Sequence, residues 1–337
     1  MVKLFALCAK GLEEVATQEI KDCGKSNNFE IFEGVIVFDY LGDLKDLTNL
    51  KIVDDVLIFV KKFQDINRYK TSLFIIRKEL SQVNLMKVLF LIRKIRKTKP
   101  QTTFKIQSSY KSRRDYTAKE ITTAARRAIL KNQEWKYSDE SELYIHILLT
   151  PKINLCGVSL LNEPLHVKNR IKTIRGSLKS SVANAMVQFA DIKKTDVVFD
   201  PMCGSGIIPI SASPFSKTTI ASDIDKEVIK IAKLNAKSKD RKIKFHVWDA
   251  SKTDLKDNSI DKIICNLPFD KQVEFEFDPE EFFKEIERIS KKKSKLVFLI
   301  DRESVLKRII KKKYPNYKHI NITNSGFEAR IMVIEKI

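Results

Sequence analysis

Apolar residues along this chain recur in two rhythms: short runs suited to buried strands, and three-to-four-residue spacings suited to amphipathic helices. Val2 to Cys8 reads as an apolar strand, Gly11 to Asp22 as an amphipathic helix and Glu30 to Asp39 as an alternating strand. That β-α-β order suggests a small ferredoxin-like unit over residues 1–60. A second α/β unit follows over residues 61–165. Its elements are a helix from Leu85 to Lys97 bearing Lys87, Arg93, Lys94, Arg96 and Lys97, a strand from Thr103 to Ser108 and a helix from Ala118 to Lys131. A strand from Glu142 to Leu149, ended by Pro151, comes next, and Cys156 to Leu160 completes the unit. Residues 166–176 are polar and basic and read as a linker into a third region, 166–337.

From Gly176 onward the pattern is regular. Strands are expected at Val197–Asp200, Thr219–Asp223, Lys244–Trp248, Lys262–Cys265, Lys295–Ile300, His319–Thr323 and Ala329–Glu335. Helices are expected at Ser177–Phe189, Gly206–Ser213, Lys226–Ser238, Pro279–Ser290 and Glu303–Lys312. Strands alternating with crossover helices imply a mainly parallel sheet. The last two strands, linked only by Asn324-Ser325-Gly326, pair as a hairpin. The expected fold is therefore α/β throughout, ending in a seven-stranded Rossmann-like sheet of the methyltransferase type. No internal repeat or low-complexity tract interrupts it.

Charge changes the picture. Among 337 residues, 63 are Lys or Arg and 43 are Asp or Glu, a net +20 that makes a polyanion, above all nucleic acid, the expected partner. The five cysteines, Cys8, Cys23, Cys156, Cys203 and Cys265, show no CxxC spacing and there are four histidines, so neither a disulfide framework nor structural zinc is expected. No apolar run reaches the roughly 18 residues needed to span a bilayer. The N-terminal stretch is too quickly charged for a signal peptide. A reduced, cytoplasmic, monomeric protein with no metal and no membrane contact is expected.

Two turns carry the candidate chemistry. Asp200-Pro201-Met202-Cys203-Gly204-Ser205-Gly206 directly follows an apolar strand, at the edge where open α/β sheets bind ligands. Gly204 and Gly206 let the backbone approach a cofactor closely, and the next helix offers free N–H groups. A dinucleotide loop has the same geometry but prefers G-x-G-x-x-G, and Pro209 stands at the third position, which favours S-adenosylmethionine (SAM). Asp223 ends the next strand, where a carboxylate can accept from ribose hydroxyls. Asp225 reads as a helix cap. Asp249 ends the third strand and can accept from the adenine amine, with Trp248 beside it as core or as adenine wall.

The second turn, Asn266-Leu267-Pro268-Phe269, ends the fourth strand on the same edge. An exocyclic amine is a poor nucleophile because its lone pair is delocalised into the ring. The Asn266 side-chain carbonyl and the Leu267 backbone carbonyl can accept both its N–H protons and aim the lone pair at a methyl donor. Pro268 stiffens the turn, and Phe269 offers a ring on which a flipped base can stack. Cys203 and Cys265 lie nearby as packing residues. Asp270 is a turn residue or an acceptor for a guanine ring N–H.

DPMCGSG and NLPF, behind a basic N-terminal half, resemble the THUMP-domain RNA methyltransferases that make N2-methylguanosine in tRNA. The resemblance covers essentially the whole chain. It implies a ferredoxin-like domain, a THUMP domain gripping the tRNA acceptor stem and 3′ end, and a Rossmann-fold catalytic domain. Phe104 to Leu130 is similar to the THUMP signature of strand, basic turn and helix. By the motif match, Asp200, Gly204, Gly206, Asp223 and Asp249, with the adjacent Met202 and Ala250, become cofactor positions, and Asn266, Leu267, Pro268 and Phe269 the catalytic loop. Ser177 and Leu178, within Gly176 to Met186, resemble the segment beside the methionine end of SAM. Ile207, Phe269 and Asp270 depart from the family's usual threonine, tyrosine and glycine, and His166 to Arg170 matches its Arg-x-Tyr-Arg segment only loosely.

Lys111, Arg113 and Arg114 lie beside Tyr110 and Tyr116, with Lys119, Arg126 and Arg127 on the following helix. Cations interleaved with aromatics suit a single-stranded RNA end; the plain alternative is a solvated helix face. Lys291–Lys293 and Lys311–Lys313 read as solvated helix ends. The expected activity is methyl transfer to guanosine N2 in tRNA, at position 6 ahead of position 10. Its rivals are rRNA guanine, an adenine amine, a glutamine amide, or an RNA-binding protein with a degenerate methyltransferase domain.

Overall fold

The computed structural model describes residues 1–99, 101–168, 172–174, 177–268, 278–302, 306–324 and 326–336. In chain order the first elements are β1 (Val2–Leu7), α1 (Glu13–Asp22), β2 (Ser26–Phe32), β3 (Val35–Tyr40), β4 (Asp55–Lys62), α2 (Thr71–Leu80), α3 (Met86–Ile95), β5 (Thr103–Tyr110), α4 (Ala118–Asn132), β6 (Lys136–Tyr137), β7 (Leu143–Leu149), β8 (Asn154–Ser159) and α5 (Leu165–Lys168). Then follow α6 (Ser180–Ala190), β9 (Val197–Asp200), α7 (Ile207–Ala212), β10 (Thr218–Asp223), α8 (Lys226–Ser238), β11 (Lys244–Val247), β12 (Ile260–Asn266), α9 (Pro279–Ile289), β13 (Ser290–Asp301), α10 (Leu306–Lys313), β14 (Tyr317–Asn324) and β15 (Phe327–Glu335). They form two compact units: Met1–Cys8 with Glu13–Lys168, and Ala9–Leu12 with Asn169–Ile337.

In the first unit one eight-stranded sheet, ordered β2-β3-β1-β4-β8-β7-β5-β6, runs through both N-terminal regions expected from sequence, and β4 crosses residue 60. Glu30–Asp39, expected as one strand, is a hairpin of β2 and β3. The apolar alternation continues through a tight turn in which Gly34 adopts φ 72° and donates its amide to Glu13 Oε1 at 2.6 Å, so the pattern alone does not reveal the reversal. α2 has no counterpart in the sequence reading; its ends carry no side-chain cap at the N-terminus. β5 and β7 are parallel, joined through α4, whose start is fixed by a capping box between Thr117 and Glu120.

The second unit has the expected seven strands, ordered β11-β10-β9-β12-β13-β15-β14. β11, β10, β9, β12 and β13 are parallel, while β15 runs antiparallel to both β13 and β14. On one side, Phe282, Phe283, Ile286 and Ile289 of α9 and Leu306 and Ile310 of α10 bury against Phe298 and Met332 of the sheet. Phe283 meets Phe298 edge-on, 5.7 Å between centroids. Elsewhere Ile229 and Ala232 of α8 pack with Cys203 and Ala221. Asp225 caps α8 as expected, accepting from the Glu227 and Val228 amides at 2.7 and 3.4 Å. α6 starts at Ser180, three residues later than the pattern suggested, which leaves Ser177 and Leu178 ahead of the helix. Part of the helix expected from Glu303 and part of the Asn324–Gly326 turn lie outside the described residues. Among the described residues no helix is long and apolar enough to cross a membrane.

One buried carboxyl ties pH to the stability of the first unit. Asp55 is 3 % exposed, and its Oδ1 accepts from Ser159 Oγ and the Val56 amide, both at 2.9 Å. Burial pushes its pKa up from 3.8 to about 7, against the pull of those hydrogen bonds. Because the folded state then holds the proton more tightly than the unfolded chain, stability declines as pH rises from about 4 to about 7 and levels off above. Asp55→Asn is expected to remove that decline, seen as a smaller fall in melting temperature between pH 5 and pH 8 than in the parent protein.

Candidate functional site

The carboxyl ends of β9, β10, β11 and β12 lie on one edge because these strands are parallel, and each expected cofactor or catalytic turn follows one of them. After β9, Gly204 adopts φ +52° and Gly206 φ +87°, and Gly206 is the N-terminal cap of α7. The turn is closed by the Gly206 amide donating to Cys203 O and the Cys203 amide to Ser222 O, both at 2.8 Å. Gly204 donates its amide to Asp223 Oδ2 at 2.9 Å, which locks the glycine turn to the end of β10.

Asp200 sits beneath this turn at 1 % exposure. Its Oδ1 accepts from the Met202 amide at 3.2 Å; its Oδ2 is buried and finds no partner among the described residues. Burial, reinforced by Asp223, holds the Asp200 carboxyl well above the usual carboxylate range. Burial also raises Asp223, against the amides of Asp225 and Gly204 that its two oxygens accept. Asp249 is exposed and turns its Oδ1 to the Ser251 amide and hydroxyl at 2.8 and 2.6 Å, while Ala250 is buried. Trp248 packs against the main apolar cluster and stacks on His246 at 3.9 Å, in keeping with a core role. Met202 packs against the same cluster.

Asn266 ends β12, three positions beyond Ile263, which pairs with Phe199 of β9. Its Oδ1 is buried with no partner among the described residues. Leu267 is 1 % exposed and donates its amide to Leu299 O at 3.0 Å, so the turn is anchored to β13; Pro268 is half-buried. Phe269 and Asp270 lie outside the described residues, as do Gly176 and Asn169 to Ile171. The Cys203 and Cys265 thiols are pushed up by burial, with nearby Asp200 adding to it, so both are neutral packing groups.

Ahead of α6, Ser177 Oγ accepts from the Ile174 amide at 2.8 Å and meets Ser205 Oγ of the glycine turn at 3.2 Å. Leu178 is half-buried beside it. Two residues that the motif reading passed over complete this arrangement: Ser205 itself, and Asn235 on α8, which bonds Ser205 O and the backbone of Lys172. The signal for Asn235 was available: an amide in line with Ile229, Ala232 and Ala236 on the buried face of an amphipathic helix.

In the first unit, Lys111, Arg113, Lys119, Arg126 and Arg127 are exposed. Arg114 and Tyr116 correct the expectation of RNA-facing groups. Tyr116 is 2 % exposed, and its hydroxyl donates to Asn67 O at 2.8 Å. Arg114 donates to the same carbonyl at 2.8 Å and to the Tyr116 hydroxyl at 2.6 Å. The pair fastens the basic turn to the Asn67 loop rather than presenting a stacking ring. Tyr110, 40 % exposed, is an accessible aromatic at the end of β5, just ahead of the turn.

This topology, with its glycine turn and strand-end aspartates, defines the class I methyltransferase fold. TrmN from Thermus thermophilus shares it across 100 % of both chains, with a TM-score of 0.78 at 18 % identity. Residues 168–330 match the profile of the RMKL-like methyltransferase domain. It is 28 % identical over 194 residues to the U6 snRNA (guanine-N(2))-methyltransferase THUMPD2 of Bos taurus, covering 56 % of this chain and 38 % of that protein. It is 20 % identical to the tRNA (guanine(6)-N2)-methyltransferase of Methanocaldococcus jannaschii, covering 98 % and 99 %. The chain thus spans about two-fifths of the length of the bovine relative.

The two glycines are not equivalent. A Cβ on Gly206 would lie 3.2 Å from Ala232 Cβ, whereas one on Gly204 would meet nothing nearer than Ile174 Cδ1 at 3.7 Å. Both pay the left-handed backbone cost of roughly 1–2 kcal/mol. Gly206→Ala is therefore expected to destabilise the protein more than Gly204→Ala, as read by chemical denaturation.

Proposed function

We propose that this protein is a SAM-dependent RNA methyltransferase acting on the exocyclic N2 of guanosine in tRNA, in the acceptor stem and at position 6. The observation that carries the reading is Asn266: a buried carbonyl oxygen with no partner among the described residues, at the strand end next to the glycine turn. The residues on this edge fit SAM. Asp200 has a buried oxygen with no partner among the described residues, a side chain on Gly204 would meet nothing nearer than Ile174 Cδ1 at 3.7 Å, and the Asp223 carboxylate ends β10 beside the glycine turn. Asp223 and Asp249 would hold the adenosine, and the turn at Met202–Gly206 with Ser177 and Leu178 the methionine end. Bound there, SAM would supply an electrophilic methyl group.

The protein's part is positioning. Asn266 Oδ1 and the Leu267 carbonyl would each accept one N–H of the guanine amine, turning its lone pair out of conjugation with the ring. Leu267, anchored to Leu299 O, keeps the second acceptor fixed. Phe269 would stack the flipped base. The proton lost from nitrogen can leave through either acceptor to solvent. Residues 61–165 act in this reading as a THUMP-type RNA-binding domain, with Lys111, Arg113, Lys119, Arg126 and Arg127 on phosphates, and the protein works as a cytoplasmic monomer.

Incubating unmodified tRNA transcripts with labelled SAM and mapping the modified nucleosides by mass spectrometry tests this. N2-methylguanosine at position 6 is expected; product at position 10, or only in a U6-type snRNA transcript, moves the substrate; no product despite SAM binding removes the tRNA reading. Asn266→Ala is expected to lower the methylation rate by roughly a hundredfold or more while SAM affinity, measured by calorimetry, stays within about twofold. Replacing Arg113 and Arg127 by alanine should weaken tRNA binding and reduce the slope of log affinity against log salt by about one per residue.

A further inference from the structure

Asn235 occupies the buried face of α8 at 4 % exposure and is bonded on both ends of its amide. Oδ1 accepts from the Lys172 amide at 2.9 Å. Nδ2 donates to Lys172 O and to Ser205 O, both at 2.8 Å. All three contacts are to backbone, so one side chain pins residue 172 and the middle of the glycine turn to the same helix. A second tie runs in parallel: Ser177 Oγ accepts from the Ile174 amide and meets Ser205 Oγ. Ile174 reaches to within 3.7 Å of the space over Gly204.

We propose that Asn235 is a positioning residue for the cofactor: it holds residues 172–174 against the glycine turn and so sets the affinity for SAM. This rests on reading the edge as a SAM site. Residues 172–174 and 177 belong to no helix or strand, so nothing regular fixes their backbone. The ordering has to come from side chains, and an amide suits the task because it offers a donor and an acceptor on one planar group. Aspartate keeps the acceptor but turns a carboxylate toward two carbonyls; leucine has the shape and neither function. Loss of the amide strands three backbone groups at once, and the neighbours they position, Ser177 and Leu178, lose their fixed relation to Gly204 and Gly206.

Calorimetric titration of the full chain with SAM at pH 6 and pH 8 tests the proposal. Absence of binding by the parent protein would remove the SAM reading itself. With parent binding in hand, Asn235→Ala is expected to weaken affinity by roughly tenfold, as lost hydrogen bonds of this kind do. Asn235→Asp should bind worse than Asn235→Ala at pH 8 and recover relative to the parent at pH 6, because the protonated carboxyl can donate again. Hydrogen exchange at the Lys172 and Ile174 amides should speed up in Asn235→Ala. Parent-like affinity in a folded Asn235→Ala, even with a lower melting temperature, would overturn the proposal, since a purely structural role predicts that pattern. Should that variant not fold, Ser177→Ala loosens the same segment with Asn235 in place and is expected to weaken SAM binding by a smaller factor; unchanged affinity there would equally overturn it.

Discussion

The parallel pairing of β9 with β12 is the constraint on which the candidate site depends. The two strands are some sixty residues apart in the chain, yet Lys262 pairs with Val198 and Ile263 with Phe199. In that register the turn after β9 and the turn after β12 leave the sheet on the same edge. The strand order reverses here, with β10 and β11 on one side and β13 on the other, and open sheets of this kind bind ligands at such a switch point. An antiparallel β12 would send Asn266 to the opposite edge, and no adjustment of loops would restore it. Val198, Phe199, Ile263, Ile264 and Cys265 are all buried, so side chains pack against both faces of this pair and hold its register.

Electrostatics at this edge run against stability. Two carboxyls, Asp200 and Asp223, are raised by burial, Asp200 also by the nearby Asp223, and Asp200 keeps one oxygen without a partner among the described residues. Asn266 leaves a carbonyl oxygen in the same condition. A core built only for stability would place apolar groups at such positions, because an unpaired buried polar atom costs about 1–3 kcal/mol. Their concentration at strand ends, beside a glycine turn in left-handed backbone, is the arrangement expected of a binding edge rather than of packing. The first unit holds a comparable buried carboxyl at Asp55, but there it accepts from the Ser159 hydroxyl of a neighbouring strand.

Much of this was legible along the chain. Periodicity located all seven strands of the second unit, because strands buried on both faces are short apolar runs bounded by polar turns. The placement of Asp200, Gly204, Gly206, Asp223 and Asn266 at strand ends and in the turn after β9 was legible because each follows a short apolar run. The β2–β3 reversal was not, since alternation does not change sign through a tight turn. Nor was the fate of Tyr116 and Arg114: a Tyr among arginines reads as an RNA-stacking group until the Asn67 loop is seen to accept from both.

The sequence by itself determined most of the elements, the basic charge, the glycine turn and the residue types available at each strand end, since these follow from local periodicity and backbone preference. Only the tertiary structure decided which of those residues meet. It joined β1 to β8 in one sheet across residue 60, buried Tyr116, and brought Asn235 of α8 onto Lys172 and Ser205. Such contacts join positions 30 and 63 residues apart, fixed by the packing of whole helices on a sheet, and no local pattern encodes them.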